Sequence, residues 1–262
     1  MRGLSGSWRT VLAATAFNLL FEYSMRGVNN LSVQPILPIV LFTVYFTLYT
    51  MLEDLITRFR LKDYHLILIA FFYGTAYQFL VSGVAILSPL VFGVNWINLL
   101  FAVIVWWGAL QSVLTFYMVN RVAPRDWGYR LPRVGWVTAF SLNALMILLF
   151  QHSGFIPRPS FAQLFTMATI MTVSALVLKI SLLKKEGAPF PRSFNISTLL
   201  DILGLLTVGL FLICALFLTF DPVKIHTSNV NETAVKIVVM WTLILASALF
   251  IYRIFSRKSI SV

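Results

Sequence analysis

The stretch WINLLFAVIVWWGALQSVLTFYM, residues 96–118, followed by VNRVAPRDWGYRLPRVG, residues 119–135, decides the fold. The first 23 residues carry no charge, and the next 17 carry Arg121, Arg125, Arg130 and Arg133. Crossing the hydrocarbon core of a bilayer as a helix takes about 20 mostly apolar residues. A cationic loop directly after such a run marks the side on which the helix emerges.

Outward from this segment the pattern repeats. Apolar runs lie at about 9–24, 33–52, 64–86, 96–118, 136–152, 160–183, 197–219 and 233–254. They are too long and too evenly apolar for barrel strands, which alternate over ~10 residues. Helices satisfy their own backbone groups inside hydrocarbon. The chain of 262 residues is 59% hydrophobic and 11% charged, against roughly 25% charged in soluble domains, and its mean hydropathy is +0.87. The expected fold is an all-α, polytopic integral membrane bundle. It has about eight transmembrane helices, forms a single domain over 1–262 and has both termini cytoplasmic. The membrane is the plasma or inner membrane, or that of an organelle. The run at 9–24 is the shortest and holds Asn18 and Glu22; no small-residue cleavage site follows, so it reads as an uncleaved span.

The cations set the orientation. Arg2, Arg9, Arg58, Arg60, Lys62, Arg121, Arg125, Arg130, Arg133, Lys184, Lys185, Arg192, Arg253, Arg257 and Lys258 fall in alternate gaps and at both ends. The other loops hold Arg26, Arg158 and Lys224. Short loops follow the positive-inside rule, so the first set is placed in the cytoplasm. Trp8, Trp96, Trp127 and Trp136 stand near span ends, at headgroup level, while Trp106, Trp107 and Trp241 lie deeper and suit packing between helices.

Net charge is +11, but the cations form no patch interleaved with aromatics, which argues against nucleic acid. The expected partners are the bilayer itself, anionic lipids at the cytoplasmic face, worth about 1 kcal/mol per nearby Lys or Arg, and a partner subunit or second copy. Cys214 is the single cysteine, so no intrachain disulfide and no cysteine metal site is expected. His65, His152 and His226 are not spaced as ligands on a helix. Neither a metal nor a cofactor is expected, and no glycine-rich phosphate loop occurs. N-x-[ST] sequons stand at Asn30, Asn195 and Asn231.

Ionisable residues inside spans are costly and mark candidate sites. Lys179 and Asp201 should lie at similar depth on consecutive antiparallel spans, as a charged site or by snorkelling and local capping. Glu22 and Arg26 are four apart and share a helix face; with Lys236 they suggest an outer polar vestibule or an interfacial ion pair. Glu53, Asp54 and Arg58 form E-D-x-x-x-R at the cytoplasmic edge of the second span. This is loosely similar to the E-E-x-x-x-R of membrane-embedded CAAX-type proteases. None of the three histidines has the Phe four residues earlier that the family's further motifs need, so the pattern reads as an i,i+4 ion pair closing the span.

Uncharged polar residues recur at helical spacing: Ala70, Gly74, Gln78 and Ser82; Gly108, Gln111, Ser112 and Thr115; Thr138, Ser141 and Asn143; Thr166, Thr169 and Thr172. Such faces either converge on a polar cavity or let helices approach and bond to one another. Gln78, Gln111 and Asn143, amides at mid-membrane, favour attention to the cavity. With no catalytic set in view, the leading expectation is a transporter or permease-like component for a small molecule or lipid. The alternatives are a non-catalytic subunit, anchor or sensory module docking a partner on the basic face, and an intramembrane lipid-modifying enzyme working through Glu53, Asp54 or Asp201.

Overall fold

The computed structural model describes residues 6–152, 157–183, 198–218 and 231–258. Among them all regular structure is helical. The long helices are α1 (Gly6–Arg26), α3 (Leu37–Phe59), α4 (Asp63–Leu80), α7 (Arg133–His152), α8 (Phe161–Leu183), α9 (Thr198–Phe217) and α10 (Glu232–Lys258). A short turn of helix, α2 (Asn30–Val33), precedes α3. Between α4 and α7, α5 (Trp96–Leu100), a π-helical segment (Phe101–Leu114) and α6 (Thr115–Val122) follow one another without a break. Each apolar run of the sequence thus coincides, for most of its length, with one continuous helical stretch. Three are long and apolar enough to cross a membrane: Leu37–Phe59, Trp96–Val122 and Phe161–Leu183; Arg133–Leu149 and Asp201–Phe217 are shorter apolar helices. Three helices that could cross a membrane are consistent with a membrane location, and a count of eight goes beyond them.

Two of the boundaries that differ from the hydropathy reading have a clear local cause. The second run was expected to end at residue 52, yet α3 continues to Phe59. Glu53 and Asp54 do not stop it because both are fully buried against cationic and N–H partners. The helix closes at Arg60, whose φ is 50°, with the Leu61 N–H bonded to the Ile56 carbonyl at 3.2 Å. That left-handed closure consumes a carbonyl the last turn would otherwise leave open. The third run was expected to reach residue 86, but α4 ends at Leu80. Gly83, with φ 69°, takes a backbone conformation that only glycine adopts without strain, and the chain turns there.

By its internal contacts the chain divides into two compact units. One comprises Met1–Ala13 and Thr43–Pro191. In it α4 lies against the π segment and α8, and Phe79, Ala85, Val94, Leu99 and Val103 form a buried apolar cluster. The other comprises Ala14–Phe42 and Arg192–Val262. There Phe17 and Phe21 pack on Phe211 at 5.8 and 5.5 Å between ring centres. Two backbone bonds, Val28 N–H to Ala215 O and Asn231 N–H to Met25 O, join the end of α1 to α9 and to the start of α10. Trp241 donates its indole N–H to Thr207 at 2.7 Å, tying α10 to α9.

The π segment runs for 14 residues, whereas π turns normally come singly. Hydroxyls brace it. Ser112 donates to the Trp107 carbonyl at 2.7 Å and Thr115 to the Leu110 carbonyl at 3.0 Å, both five residues back.

Candidate functional site

The first unit holds two polar assemblies. At the end of α3 both carboxylates are 0% exposed. Glu53 receives Arg125 Nε at 2.9 and 3.0 Å on its two oxygens. The guanidinium of Arg125 also stands over the Phe116 and Trp127 rings, at 5.0 and 5.5 Å. Asp54 receives Arg58 at 3.1 and 3.0 Å, the Leu131 N–H at 2.8 Å and Trp136 Nε1 at 2.8 Å. Thr57 donates to the Tyr129 carbonyl, and Trp8 packs edge-on to the Tyr129 ring. A buried carboxylate persists only with such partners. Here they fasten the arginine-rich loop of residues 123–132 to the end of α3. Burial, followed by the negative charge of Asp54 and Glu53, pushes the Tyr129 hydroxyl up to about 12. It therefore stays protonated at physiological pH.

The i,i+4 pair expected of Asp54 and Arg58 forms, but the site is more than an edge pair. Glu53 reaches across 72 residues to Arg125. Nothing in local spacing announces Arg125, Trp136 or the Leu131 amide as partners, because they arrive from another helix and a loop.

The second assembly is built on α3, α4, the π segment and α7. Tyr77 donates to Asn143 Oδ1, Asn143 Nδ2 donates to Thr47, and Thr47 donates to the Thr43 carbonyl at 2.7 Å. Gln111 Nε2 donates to Tyr45 at 2.8 Å, and Tyr49 donates to the Gln111 carbonyl at 2.6 Å. Tyr73 and Ser112 share a hydrogen bond of 2.8 Å. Trp107 sits between Tyr73 and Tyr77, with ring centres 5.3 and 4.9 Å away. Glycine admits it, since a Cβ on Gly74 would lie 3.0 Å from the Trp107 ring. Three buried polar atoms on α4 and the π segment have no hydrogen-bond partner in the protein: Thr75 Oγ1, Trp107 Nε1 and Gln111 Oε1. Thr75 and Gln111 are 0% exposed and Trp107 is 6% exposed.

The three amides expected at mid-membrane do not act as one group. Asn143 and Gln111 both anchor to α3, while Gln78 accepts from Ser82, just past the end of α4, at 2.6 Å. The other polar faces divide by burial. Gly108, Gln111, Ser112 and Thr115 are all buried, but Thr138 and Ser141 are exposed. Thr166 and Thr169 donate to carbonyls four residues back in α8, on an exposed surface. Hydroxyls satisfied in this way need no neighbouring helix. The tyrosines that complete the network carry no signal in helical spacing, although a phenol facing a buried amide is a ready partner.

The remaining candidates scatter. Lys179 is exposed on α8 in the first unit, and Asp201 lies in the first turn of α9 in the second, where a carboxylate complements the helix dipole. Glu22 and Arg26 form a largely buried ion pair at 3.1 Å. Lys236 does not join it: its ammonium pairs with Glu232 at 2.7 Å on an exposed helix face. Asn30 is 0% exposed, which hides that sequon in the folded chain. Asn231 Oδ1 accepts the Ala234 N–H at the start of α10, and Asn195 lies outside the described residues. Among the described residues no cluster of three or more His, Cys, Asp or Glu could hold a metal ion.

No protein-family model, curated protein or solved structure matches this chain.

Proposed function

We propose that the chain is a multi-pass membrane transport component, permease-like, handling a small uncharged polar molecule through the core formed by α3, α4, the π segment and α7. The observation that carries this reading is the set of buried, unpartnered polar atoms on Thr75, Trp107 and Gln111. A polar group left unbonded away from water costs on the order of several kcal/mol in hydrocarbon. A hydrated or solute-bearing path past these groups removes that cost. They offer an N–H, an O–H and a C=O with no formal charge, which suits a neutral hydrogen-bonding solute. A long π segment beside them agrees, since π turns recur at functional positions.

In this reading the eight long helical stretches all cross a plasma or inner membrane, with both termini in the cytoplasm. After replacement of Cys214, single cysteines at Arg60 and Val122 then react with an impermeant thiol reagent only in opened vesicles, and one at Phe92 reacts from outside. Transport is tested in proteoliposomes by stopped-flow light scattering with urea and glycerol. Gln111→Leu and Trp107→Phe should each slow the protein-dependent flux about five-fold, the worth of one hydrogen bond of about 1 kcal/mol. Flux no faster than in protein-free vesicles for both solutes overturns the transport reading.

A second reading, a subunit that docks a partner on its basic face, is favoured by one specific observation. Arg9, Arg58, Arg60, Lys62, Arg130 and Arg133 are exposed on elements held together by the Glu53 and Asp54 assembly. Co-purification of an acidic partner that is lost on reversing Arg130 and Arg133 supports it.

A further inference from the structure

A shallow groove of about 450 Å³ runs along α8 where it lies beside α4. Its wall includes Phe72, Met167, Ala168, Met171 and Ala175, and one end carries Lys179. Only 6% of the most apolar window of α8 is buried, so this helix faces the surroundings of the first unit. Ala168 and Ala175 are small and seven residues apart, which leaves a trough between the longer side chains. The methionines supply flexible, polarisable walls. Lys179 stands four residues before the end of α8, exposed, at the end that Lys184 and Lys185 follow in the sequence.

We infer that this groove seats one acyl chain of an anionic phospholipid of the cytoplasmic leaflet, with its phosphate on Lys179. The dimensions agree. From Met167 to Lys179 the helix rises about 18 Å at ~1.5 Å per residue. One leaflet supplies about half of a hydrocarbon core ~30 Å thick. A chain lying in the trough thus brings its headgroup to the height of the ammonium, which holds phosphate oxygens by charge-assisted hydrogen bonds. A second copy fits worse. A two-fold axis along the membrane normal would set two Lys179 ammonium groups at equal depth in an apolar interface, and like charges there repel. The inference rests on the topology proposed above only for the leaflet, and not on transport.

The test is native mass spectrometry of the full chain released from detergent, loaded with phosphatidylglycerol or phosphatidylcholine of identical acyl chains. The wild type should retain phosphatidylglycerol about five-fold more than phosphatidylcholine, as expected for one Lys at the headgroup. Lys179→Gln should abolish that preference, Lys179→Arg should keep it, and Ala175→Trp should reduce retention of both lipids. Both positions lie on an exposed surface, and circular dichroism checks that the helices persist. Equal retention of the two lipids by the wild type, an unchanged preference in Lys179→Gln, or a dimer lost in Ala175→Trp each overturns the inference. A lipid preference that depends on Lys179 alongside absent solute flux removes transport and leaves the lipid site standing. Solute flux without a lipid preference does the reverse.

Discussion

Replacing Asp54 with alanine distinguishes a clamp from a passive ion pair. Asp54 is fully buried and accepts from Arg58, the Leu131 N–H and the Trp136 indole N–H. The Arg58 side chain is 42% exposed and can turn to water, so its loss costs under ~1 kcal/mol. The buried Leu131 N–H cannot be rehydrated without opening the loop and the half-buried Trp136 indole N–H only in part, and each stranded buried donor costs about 1–3 kcal/mol. Asp54→Ala should therefore destabilise the first unit by about 2–6 kcal/mol. Trp136→Phe alone removes one hydrogen bond, about 1 kcal/mol. In the double variant the indole donor no longer exists to be stranded. The pair should then be less damaging than the sum of the singles by about 1–2 kcal/mol, well above the ~0.5 kcal/mol scatter of independent sites. Unfolding in mixed micelles titrated with dodecyl sulfate, followed by circular dichroism, measures all three variants. Strict additivity would refute the claim that Asp54 holds the loop through Trp136.

Three further outcomes follow from the same geometry. Glu53→Ala leaves the 10%-exposed Arg125 side chain without its carboxylate and should cost about 3–5 kcal/mol, with Glu53→Ala/Arg125→Met recovering part of it in the same titration. Gly74→Ala forces a Cβ to 3.0 Å from the Trp107 ring and should cost about 1–3 kcal/mol by overpacking, less in a Trp107→Leu background; an equal cost in both backgrounds refutes the contact. The Tyr129 hydroxyl is raised from 10.0 to about 12 in the fold, so between those values the folded chain binds a proton the unfolded chain has lost, and stability falls as pH rises through that window. Tyr129→Phe should flatten this alkaline slope, and an unchanged slope shows that other groups cause it.

The helical runs were legible because hydropathy is additive along the chain: a segment such as 96–118 is apolar whatever surrounds it. The ends of the runs were less legible. Glu53 and Asp54 look like a stop when only their own charge is weighed, yet α3 passes through them because donors come from the 123–136 region. Lys236 shows the opposite error. Its depth in the sequence suggested company for Glu22 and Arg26, but Glu232, four residues before it on the same helix, takes its charge. Of the polar stripes, burial separates the face of Gln111 and Ser112 from that of Thr166 and Thr169, and periodicity treats both alike.

From composition and the order of its residues alone, this chain fixes a helical fold with runs suited to hydrocarbon, since each helix closes its own backbone hydrogen bonds and declares its polarity locally. Which polar side chains meet is a property of distant segments. Arg125 against Glu53, Asn143 between Tyr77 and Thr47, and the unpartnered groups on Thr75, Trp107 and Gln111 exist only once helices far apart in the chain have packed. A hydrogen bond depends on a few tenths of an ångström between atoms whose sequence separation carries no distance.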